Sequence, residues 1–193
     1  MKTEQLDKEQ FIIHGQRTVL IPFEKFDIPD LIRLLREDKN GNMGKFCLKD
    51  FTYEQAEYYV SKFIADKIGI IWNFYALDTD GRAGFIFLTD ITGFSASISG
   101  IVDDKFIKAL PKEIRKIKPT YAYDAQKTLI EYCFNNGMLR IETDVMEDNR
   151  KAIMLQKKLG FIQEGVLRKC FEFEGKYKNI VNFSILKEEY NNG

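Results

Sequence analysis

The hydrophobic period changes once within residues 149–190, and this change constrains the fold more than any other feature of the chain. Apolar residues recur at helical spacing over residues 152–159, and Gly160 follows directly. A glycine after the last helical residue ends a helix sharply because it adopts positive φ without strain. The pattern then alternates over residues 166–173 and 180–186. A helix that stops and feeds two adjacent strands requires a sheet on which both can pack.

The rest of the chain alternates between the same two periods. Strands are predicted at residues 17–23, 70–77, 84–90, 91–102 and 139–146. Helices are predicted at residues 28–35, 52–64 and 121–135, with a short helical piece at 105–110. No internal repeat or low-complexity linker divides the sequence. We therefore expect residues 1–193 to form one mixed α/β domain, with the polar residues 1–15 as a flexible lead.

Composition narrows the class of protein. Lys plus Arg and Asp plus Glu both number 29, so the chain lacks the basic surplus of a general nucleic-acid binder. One local exception is residues 105–118, where basic side chains dominate. The three cysteines are widely spaced and odd in number, which predicts neither a disulfide framework nor a zinc site and favours a reduced, cytoplasmic setting. No apolar run approaches the roughly 20 residues that span a bilayer.

Several ordered motifs resemble one enzyme superfamily. Residues 149–161 read Asn-x-x-Ala-Ile-x-Leu-x-Lys-Lys-Leu-Gly-Phe, and residues 164–168 read Glu-Gly-Val-Leu-Arg. Gly-Lys-Tyr at 175–177 and Ser-Ile-Leu-Lys-Glu-Glu-Tyr at 184–190 follow. This order is similar to that of the GNAT acyltransferases, and the tail resembles the branch that acetylates ribosomal-protein N-termini and polyamines. Residues 17–22 and 84–91 are similar to the opening and middle of the same branch.

The resemblance implies a fold and a cofactor. It implies an α/β fold of the α+β type, with a mixed, mostly antiparallel central sheet flanked by helices. The sheet is expected to splay between residues 91–102 and 139–146, and acetyl-CoA is expected to lie in the opening as co-substrate. Asn149 would then reach the pantetheine arm, although it also suits a plain helix cap, and both roles stay open. The resemblance assigns cofactor contacts to Ile101, Val102, Lys116, Lys118, Thr120, Tyr121, Ala122, Asn149 and Gln156.

The loop that should hold the pyrophosphate departs from the superfamily's pattern. Its usual form is Arg/Gln-x-x-Gly-x-Gly/Ala before a long helix, where backbone amides and the helix N-terminus bind phosphate. The similarity of residues 121–125 to Tyr/Leu-Ala-x-Glu-Ala sets the register, which puts Lys118 and Thr120 at the two glycine positions. Pro119 also removes a backbone donor. Either lysines and the Thr120 hydroxyl grip the phosphates, or residues 115–118 form a solvated charged loop.

The predicted chemistry also departs from the commonest pattern. Many GNAT enzymes place a tyrosine on the last helix to protonate the departing thiolate, but Gln156 stands there and cannot donate a proton as a general acid. A general base would be a carboxylate, with Glu142 and Asp144 on the strand beside the expected cleft as candidates. Asp90 and Asp103 flank the neighbouring strand. Spacing singles out none of them, and each also suits a surface position.

Two hypotheses of different classes remain. The first is an N-acetyltransferase that moves an acetyl group from acetyl-CoA to a primary amine by direct attack, the acceptor being a protein N-terminus, a polyamine or another small amine. The second is a catalytically inactive GNAT-fold protein that serves as a structural or binding component of a larger assembly. A homodimer fits either one. A third reading, nucleic-acid binding, rests only on residues 105–118.

Overall fold

A computed structural model of the chain describes residues 11–192. The strands are β1 (Ile13–His14), β2 (Thr18–Pro22), β3 (Gly69–Ala76), β4 (Gly81–Thr89), β5 (Ser95–Val102), β6 (Arg140–Met146), β7 (Ile162–Phe173) and β8 (Lys176–Leu186). The helices are α1 (Ile28–Arg36), α2 (Tyr53–Ala65), α3 (Asp104–Ala109), α4 (Lys112–Lys116), α5 (Tyr121–Asn135), α6 (Arg150–Lys158) and α7 (Lys187–Asn192). The prediction of a flexible lead at residues 1–15 falls mostly outside the described residues.

All eight strands of the described chain form one sheet in the order β1-β2-β3-β4-β5-β6-β8-β7. Every neighbouring pair is antiparallel except β5 and β6, which run parallel. The long connection through α3, α4 and α5 makes this parallel step possible, because parallel neighbours need a crossover. The predicted α/β fold with a mixed, mostly antiparallel sheet is confirmed.

The sheet opens where β5 meets β6. Only residues 95–97 of β5 pair with β6, opposite residues 140–142. Beyond that point β5 stays paired with β4 as far as Val102, and β6 stays paired with β8 as far as Met146. The two strands therefore diverge along more than half their length, and the facing edges keep backbone N–H and C=O groups without a strand partner.

Two apolar cores cover opposite faces of the sheet. On one face α5 and α6 pack over all of the central strands, with Trp72, Leu129 and Ile141 at or near zero exposure. On the other face α1 and α2 pack over β3 and β4 around Phe85 and Phe87. This second core contains no residue of β6, and Glu142 and Asp144 of that strand remain exposed, whereas Met146 at its end is buried.

Helix caps match the sequence closely. Asn149 is the N-cap of α6, and its Oδ1 accepts a hydrogen bond from the Ala152 amide at 3.2 Å. Gly160 follows the helix with φ of +90°, as its position predicted. Thr52 and Gln55 form the expected capping box on α2. The bounds of α5 coincide with the predicted 121–135.

Some predicted bounds were wrong. The strand predicted at 91–102 begins only at Ser95, because the Thr92 hydroxyl accepts hydrogen bonds from the Phe94 and Ser95 amides and holds a turn there. The strand predicted from residue 166 begins at Ile162. Helices α4 and α7 were not predicted at all; both are short and carry mostly polar side chains, so they show little periodicity. Within residues 11–192, no helix combines the length and apolarity needed to cross a bilayer.

Candidate functional site

The divergence of β5 and β6 opens into a groove of about 1690 Å³. One wall is the end of β5, where Gly100, Ile101 and Val102 line the groove. The start of α5 and the loop before it form the next wall, and α6 faces them. The segment after α1, residues 37–43, closes the end of the groove on the α1–α2 side. The groove therefore joins both faces of the sheet through the gap between the two strands.

The lining of the groove is positively charged on balance. Seven basic and four acidic side chains line it. The basic ones are Lys39, Lys105, Lys108, Lys118, Arg150, Lys151 and Lys158. Lys105 and Lys108 pair with Glu37 and Asp104, whereas the other five form no ion pair with any described residue. A net positive groove in a chain of zero net charge attracts an anion to this one place.

The N-terminus of α5 points its free amides at the same region. Thr120 is the N-cap, and its Oγ1 accepts from the Tyr123 amide at 3.4 Å. The first N–H groups of a helix have no acceptor within the helix, so those of Tyr121 and Ala122 are available. Together with the helix dipole they favour a negative group. Lys118, Pro119, Thr120 and Ala122 all line the groove beside them.

Six of the nine predicted cofactor residues line this one groove: Ile101, Val102, Lys118, Thr120, Ala122 and Asn149. Lys116 does not line it; the residue ends α4 and its side chain is solvent-exposed. Tyr121 and Gln156 are buried behind the lining. Six of the nine residues thus share one surface, and their contact with a cofactor stays a prediction.

Tyr121 is part of the core at the start of α5. Its side chain is 5% exposed, and its hydroxyl donates to Asp78 Oδ1 at 2.5 Å. Burial, reinforced by the neighbouring Asp78 carboxylate, raises the pKa of the Tyr121 phenol. The Arg17 guanidinium lies 4.4 Å from the centre of its ring. The side chain of Tyr121 thus fixes the helix start, and its backbone N–H remains the part of the residue near the groove.

Gln156 lies one layer behind the groove. It is 4% exposed, and its Nε2 donates to Oε1 of Gln126, a groove residue, at 3.2 Å. Its own Oε1 is buried and has no hydrogen-bond partner among the described residues. A buried acceptor left unpaired costs free energy, so a donor from a ligand or water would stabilise this position.

The two predicted catalytic carboxylates lie on the exposed face of β6 and do not line the groove. Glu142 accepts from Arg140 Nε at 2.7 Å. Asp144 accepts from Asn182 Nδ2 at 2.6 Å. Side chains alternate along β6, and Ile141 and Val145 point into the α5–α6 core. Glu142 and Asp144 therefore point toward the α1–α2 face. Their assignment as general base remains a prediction.

A neighbouring ion pair orders the same face. Arg140 donates to both carboxylate oxygens of Glu164, and Ser184 Oγ donates to Glu164 Oε1 at 2.8 Å. The Arg140 guanidinium, aided by the Ser184 hydroxyl, lowers the pKa of Glu164 to about 2. Glu164 is therefore ionised throughout the neutral range and holds Arg140 beside Glu142.

A set of contacts closes the groove on the α1–α2 side, and we call it the acceptor-side clamp: residues 37–51, the β7–β8 turn and Lys178. Lys178 Nζ donates to the Asn40 carbonyl at 2.6 Å and to Asp148 Oδ2 at 2.8 Å. Lys49 pairs with Glu174 across the same seam. Phe173 packs against Gly41, and the Lys49 ammonium lies 5.4 Å from its ring centre.

Sequence reasoning missed three groups of the site. Arg150 and Lys151 directly follow Asn149 on the first turn of α6, and helical spacing alone could have placed them at the groove. Arg17, which contacts the loop before α5, could not have been found this way because it lies a hundred residues from its partners. Lys178 gives no signal in the sequence beyond its place after a turn.

The fold is that of the GNAT N-acetyltransferases. Spermidine N-acetyltransferase from Vibrio cholerae, solved in complex with CoA and spermine, superposes with a TM-score of 0.74 over 91% of this chain and 98% of that chain, at 20% identity. A probable GNAT acetyltransferase from Chromobacterium violaceum gives 0.71 over 97% of this chain and 90% of that chain, at 17% identity.

Sequence comparison gives a narrower match. An uncharacterized N-acetyltransferase, p20, from Bacillus licheniformis is 37% identical over 71 residues. Those residues make up 36% of this chain and 40% of that protein, so the match spans less than half of either. No protein-family model matches the chain. The comparisons therefore establish the fold of the chain.

Proposed function

We propose that the protein is an acetyl-CoA-dependent N-acetyltransferase that acts on a primary amine. The observation that carries this proposal is the groove at the divergence of β5 and β6, into which the α5 N-terminus and unpaired basic side chains converge. Such a groove suits a ligand that is long, anionic at one end and amide-bearing at the other.

The residues present fit that ligand. Lys118, Arg150, Lys151 and Lys158 bring positive charge to the lining of the groove, which suits phosphates. Ile101, Val102, Ala152 and Leu155 give an apolar stretch nearby for the pantetheine chain. The unpaired Oε1 of Gln156 offers a buried acceptor beside Gln126. Acetyl-CoA, when bound, supplies an acetyl group activated as a thioester.

The chain's own contribution to the reaction is positioning and proton transfer. The free strand edges of β5 and β6 at the gap hold N–H donors that suit a polarised carbonyl oxygen. The acceptor amine must be neutral to attack, so a carboxylate has to take its proton, directly or through water. Glu142 and Asp144 are our candidates on the α1–α2 face, and Gln156 supplies no proton to the leaving thiolate.

The acceptor is proposed to enter from the acceptor-side clamp. There Asp148 and the Asn40 carbonyl already hold one ammonium group, that of Lys178. A lining that binds this alkylammonium supports a small amine or a protein N-terminus as acceptor. The V. cholerae relative was solved with spermine, and a polyamine is accordingly the first acceptor to test.

A specific observation favours a second candidate, a GNAT-fold protein without catalysis that acts as a binding or structural component. Gln156 stands where many of these enzymes carry a proton donor, and it is buried and engaged with Gln126. The loop before α5 has no glycine. This candidate predicts CoA binding without turnover, or no binding.

Two measurements on the purified full chain separate these candidates. Calorimetric titration with CoA and with acetyl-CoA is expected to give micromolar binding that weakens about tenfold in Lys118→Met and Lys151→Met, each of which removes one positive charge from the groove lining. Lys62→Met, on the exposed face of α2, is the matched control. Release of free thiol from acetyl-CoA in the presence of spermine, spermidine and N-terminal peptides then reports transfer.

The outcomes are distinct. Binding with amine-dependent thiol release establishes the enzyme. Binding without release for every amine in the panel supports the second candidate, and no binding at millimolar ligand contradicts both the cofactor assignment and the activity.

A further inference from the structure

We propose that Arg17 is a positioning residue that orients the loop before α5 for the pyrophosphate, in place of the glycines that this loop lacks. This inference rests on the proposed function. Arg17 lies directly before β2, is 8% exposed and does not line the groove. It therefore acts through the loop and does not touch the ligand.

The contacts of the guanidinium are to the loop's backbone. Arg17 Nη1 donates to the Ile117 carbonyl at 2.9 Å and to the Pro119 carbonyl at 2.7 Å. A charged donor shared between two carbonyls holds both of them firmly. The two carbonyl oxygens, which would repel an anion, are thereby bonded to a residue that does not line the groove.

Peptide geometry makes the consequence specific. In a trans peptide unit the N–H of the next residue points opposite to the carbonyl. The units joining Ile117 to Lys118 and Pro119 to Thr120 are both trans. Because Arg17 holds the Ile117 and Pro119 carbonyls, the N–H groups of Lys118 and Thr120 are directed away from Arg17. Lys118 and Thr120 themselves line the groove, whereas Arg17 does not. Among the described residues neither N–H has a hydrogen-bond acceptor.

These are the two positions at which the GNAT loop pattern has glycine. A glycine makes such N–H groups accessible through its backbone freedom, whereas here a side chain from another strand fixes the same two peptide planes. With the first amides of α5, the N–H groups of Lys118 and Thr120 form a row of donors at the positive end of a helix. Such a row matches the oxygens of a pyrophosphate.

Arg17 is itself restrained by contacts with three other residues. Its Nη2 is paired with Asp78 in the β3–β4 turn, and its guanidinium stacks on Tyr121. Its backbone N–H donates to Asp124 Oδ2 at 2.9 Å, in the first turn of α5. One residue thus couples the sheet end to both the loop and the helix that follows it. A guanidinium so restrained loses little freedom when the loop binds ligand.

The test compares Arg17→Met and Arg17→Lys with Arg168→Met, a control on the exposed edge strand β7. The dissociation constant for CoA is measured by calorimetry, and the KM values for acetyl-CoA and for acetyl-pantetheine, which lacks the pyrophosphate, are compared. We expect Arg17→Met to raise the CoA dissociation constant about tenfold or more, with Arg17→Lys intermediate and Arg168→Met unchanged.

A difference between the KM changes for acetyl-CoA and for acetyl-pantetheine identifies a positioning role of Arg17. KM for acetyl-CoA should rise in Arg17→Met, while KM for acetyl-pantetheine and kcat at saturation stay at wild-type values. A merely structural defect would change both ligands together. Tyr121→Phe removes one support of Asp78 while leaving the Arg17 contacts to the loop, and it should give a small change in the same direction if Arg17→Met does not fold.

Equal CoA affinity in wild type, Arg17→Met and Arg17→Lys would overturn the inference while leaving the proposed function intact. Equal losses for acetyl-CoA and acetyl-pantetheine would also overturn it. Absence of CoA binding by the wild-type protein would instead contradict the proposed function itself.

Discussion

The two ends of the groove are held in place by different physics. On the proposed cofactor side, the loop before α5 is fixed by Arg17 and Asp124, which are 8% and 3% exposed and make several hydrogen bonds each. On the acceptor side, the clamp depends on the pairs Lys178–Asp148 and Lys49–Glu174, in which one partner is more than half exposed. Buried networks are costly to break, whereas exposed ion pairs contribute little.

This difference in burial indicates that the two ends of the groove have different roles. A site for a constant ligand benefits from rigid, preorganised donors, because ordering them at each binding event would cost affinity. A site that must admit and release an acceptor benefits from contacts that open at low cost. The structure of the groove fits a fixed cofactor end and an adjustable acceptor end.

The largest expected effect is at Asp124. Its carboxylate accepts hydrogen bonds from the amides of Gln16, Arg17 and Thr18 and from the Thr18 hydroxyl. Asp124→Ala leaves buried donors unpaired, and we expect a loss of about 3 kcal/mol in the free energy of unfolding, measured by urea denaturation. Glu57→Ala, at an exposed position of α2, should stay within about 0.5 kcal/mol of wild type. Equal losses in the two variants would remove the contrast.

Gly41 is the most constrained position of the acceptor-side clamp. It has φ of +63°, and an added Cβ would lie 2.6 Å from the Phe173 ring. Gly41→Ala should therefore lose about 1–2 kcal/mol of unfolding free energy and loosen the β7–β8 turn. Gly93→Ala is the matched control, because a Cβ there meets nothing within 4 Å. Thermal denaturation and hydrogen exchange of residues 171–178 report both effects, and wild-type stability in Gly41→Ala would contradict the close packing.

Asp78 makes the cofactor side sensitive to acid. Partial burial opposes its ionisation, but hydrogen bonds from Arg17 and Tyr121 outweigh this and lower the pKa of Asp78 below its ordinary value of 3.8. A carboxylate with a lowered folded-state pKa contributes stability above its unfolded pKa, and this is lost as pH falls through the folded value. The stability difference between wild type and Asp78→Asn should therefore shrink as pH is lowered from about 6 to about 3. A difference that grows in acid would contradict the assigned sign.

The smallest effect on stability is expected at Lys178. Replacing it with Met removes the contacts to Asn40 and Asp148, and the exposed ion pair should cost less than about 1 kcal/mol. The KM for the amine acceptor should change while the dissociation constant for CoA does not. Lys176→Met, exposed on the same hairpin, is the control. A change in CoA affinity in Lys178→Met would mean that the two ends of the groove are not independent.

Local sequence patterns predicted most of the helices and strands of the fold. The period change at Gly160, the Asn149 cap and the apolar stripe of α5 were all visible in sequence because each depends on residues within one or two turns. Thr92 is a case in which the sequence pattern gave the wrong strand boundary. Its hydroxyl accepts a hydrogen bond from the Ser95 amide, so β5 begins at Ser95, and β-propensity does not predict this contact.

The site was less predictable because its key contacts are distant in sequence. Of the nine cofactor contacts that the resemblance implies, six fall on residues that line one groove. The residues of the glycine-free loop alone do not show what orients it. The partner that orients that loop, Arg17, approaches from β2, and no spacing rule joins the two. Asp124 had served only to set the register of the motif, and its role as acceptor for the β1–β2 turn emerged from the packing.

The most direct test of the central claim is a structure of the full chain bound to CoA. We expect the pyrophosphate within hydrogen-bond distance of the Lys118 and Thr120 amides at the α5 N-terminus. The pantetheine should lie between β5 and β6, and Arg17 should still be bonded to Ile117 and Pro119. A complex with CoA bound elsewhere, or with these two amides turned away from the phosphates, would contradict it.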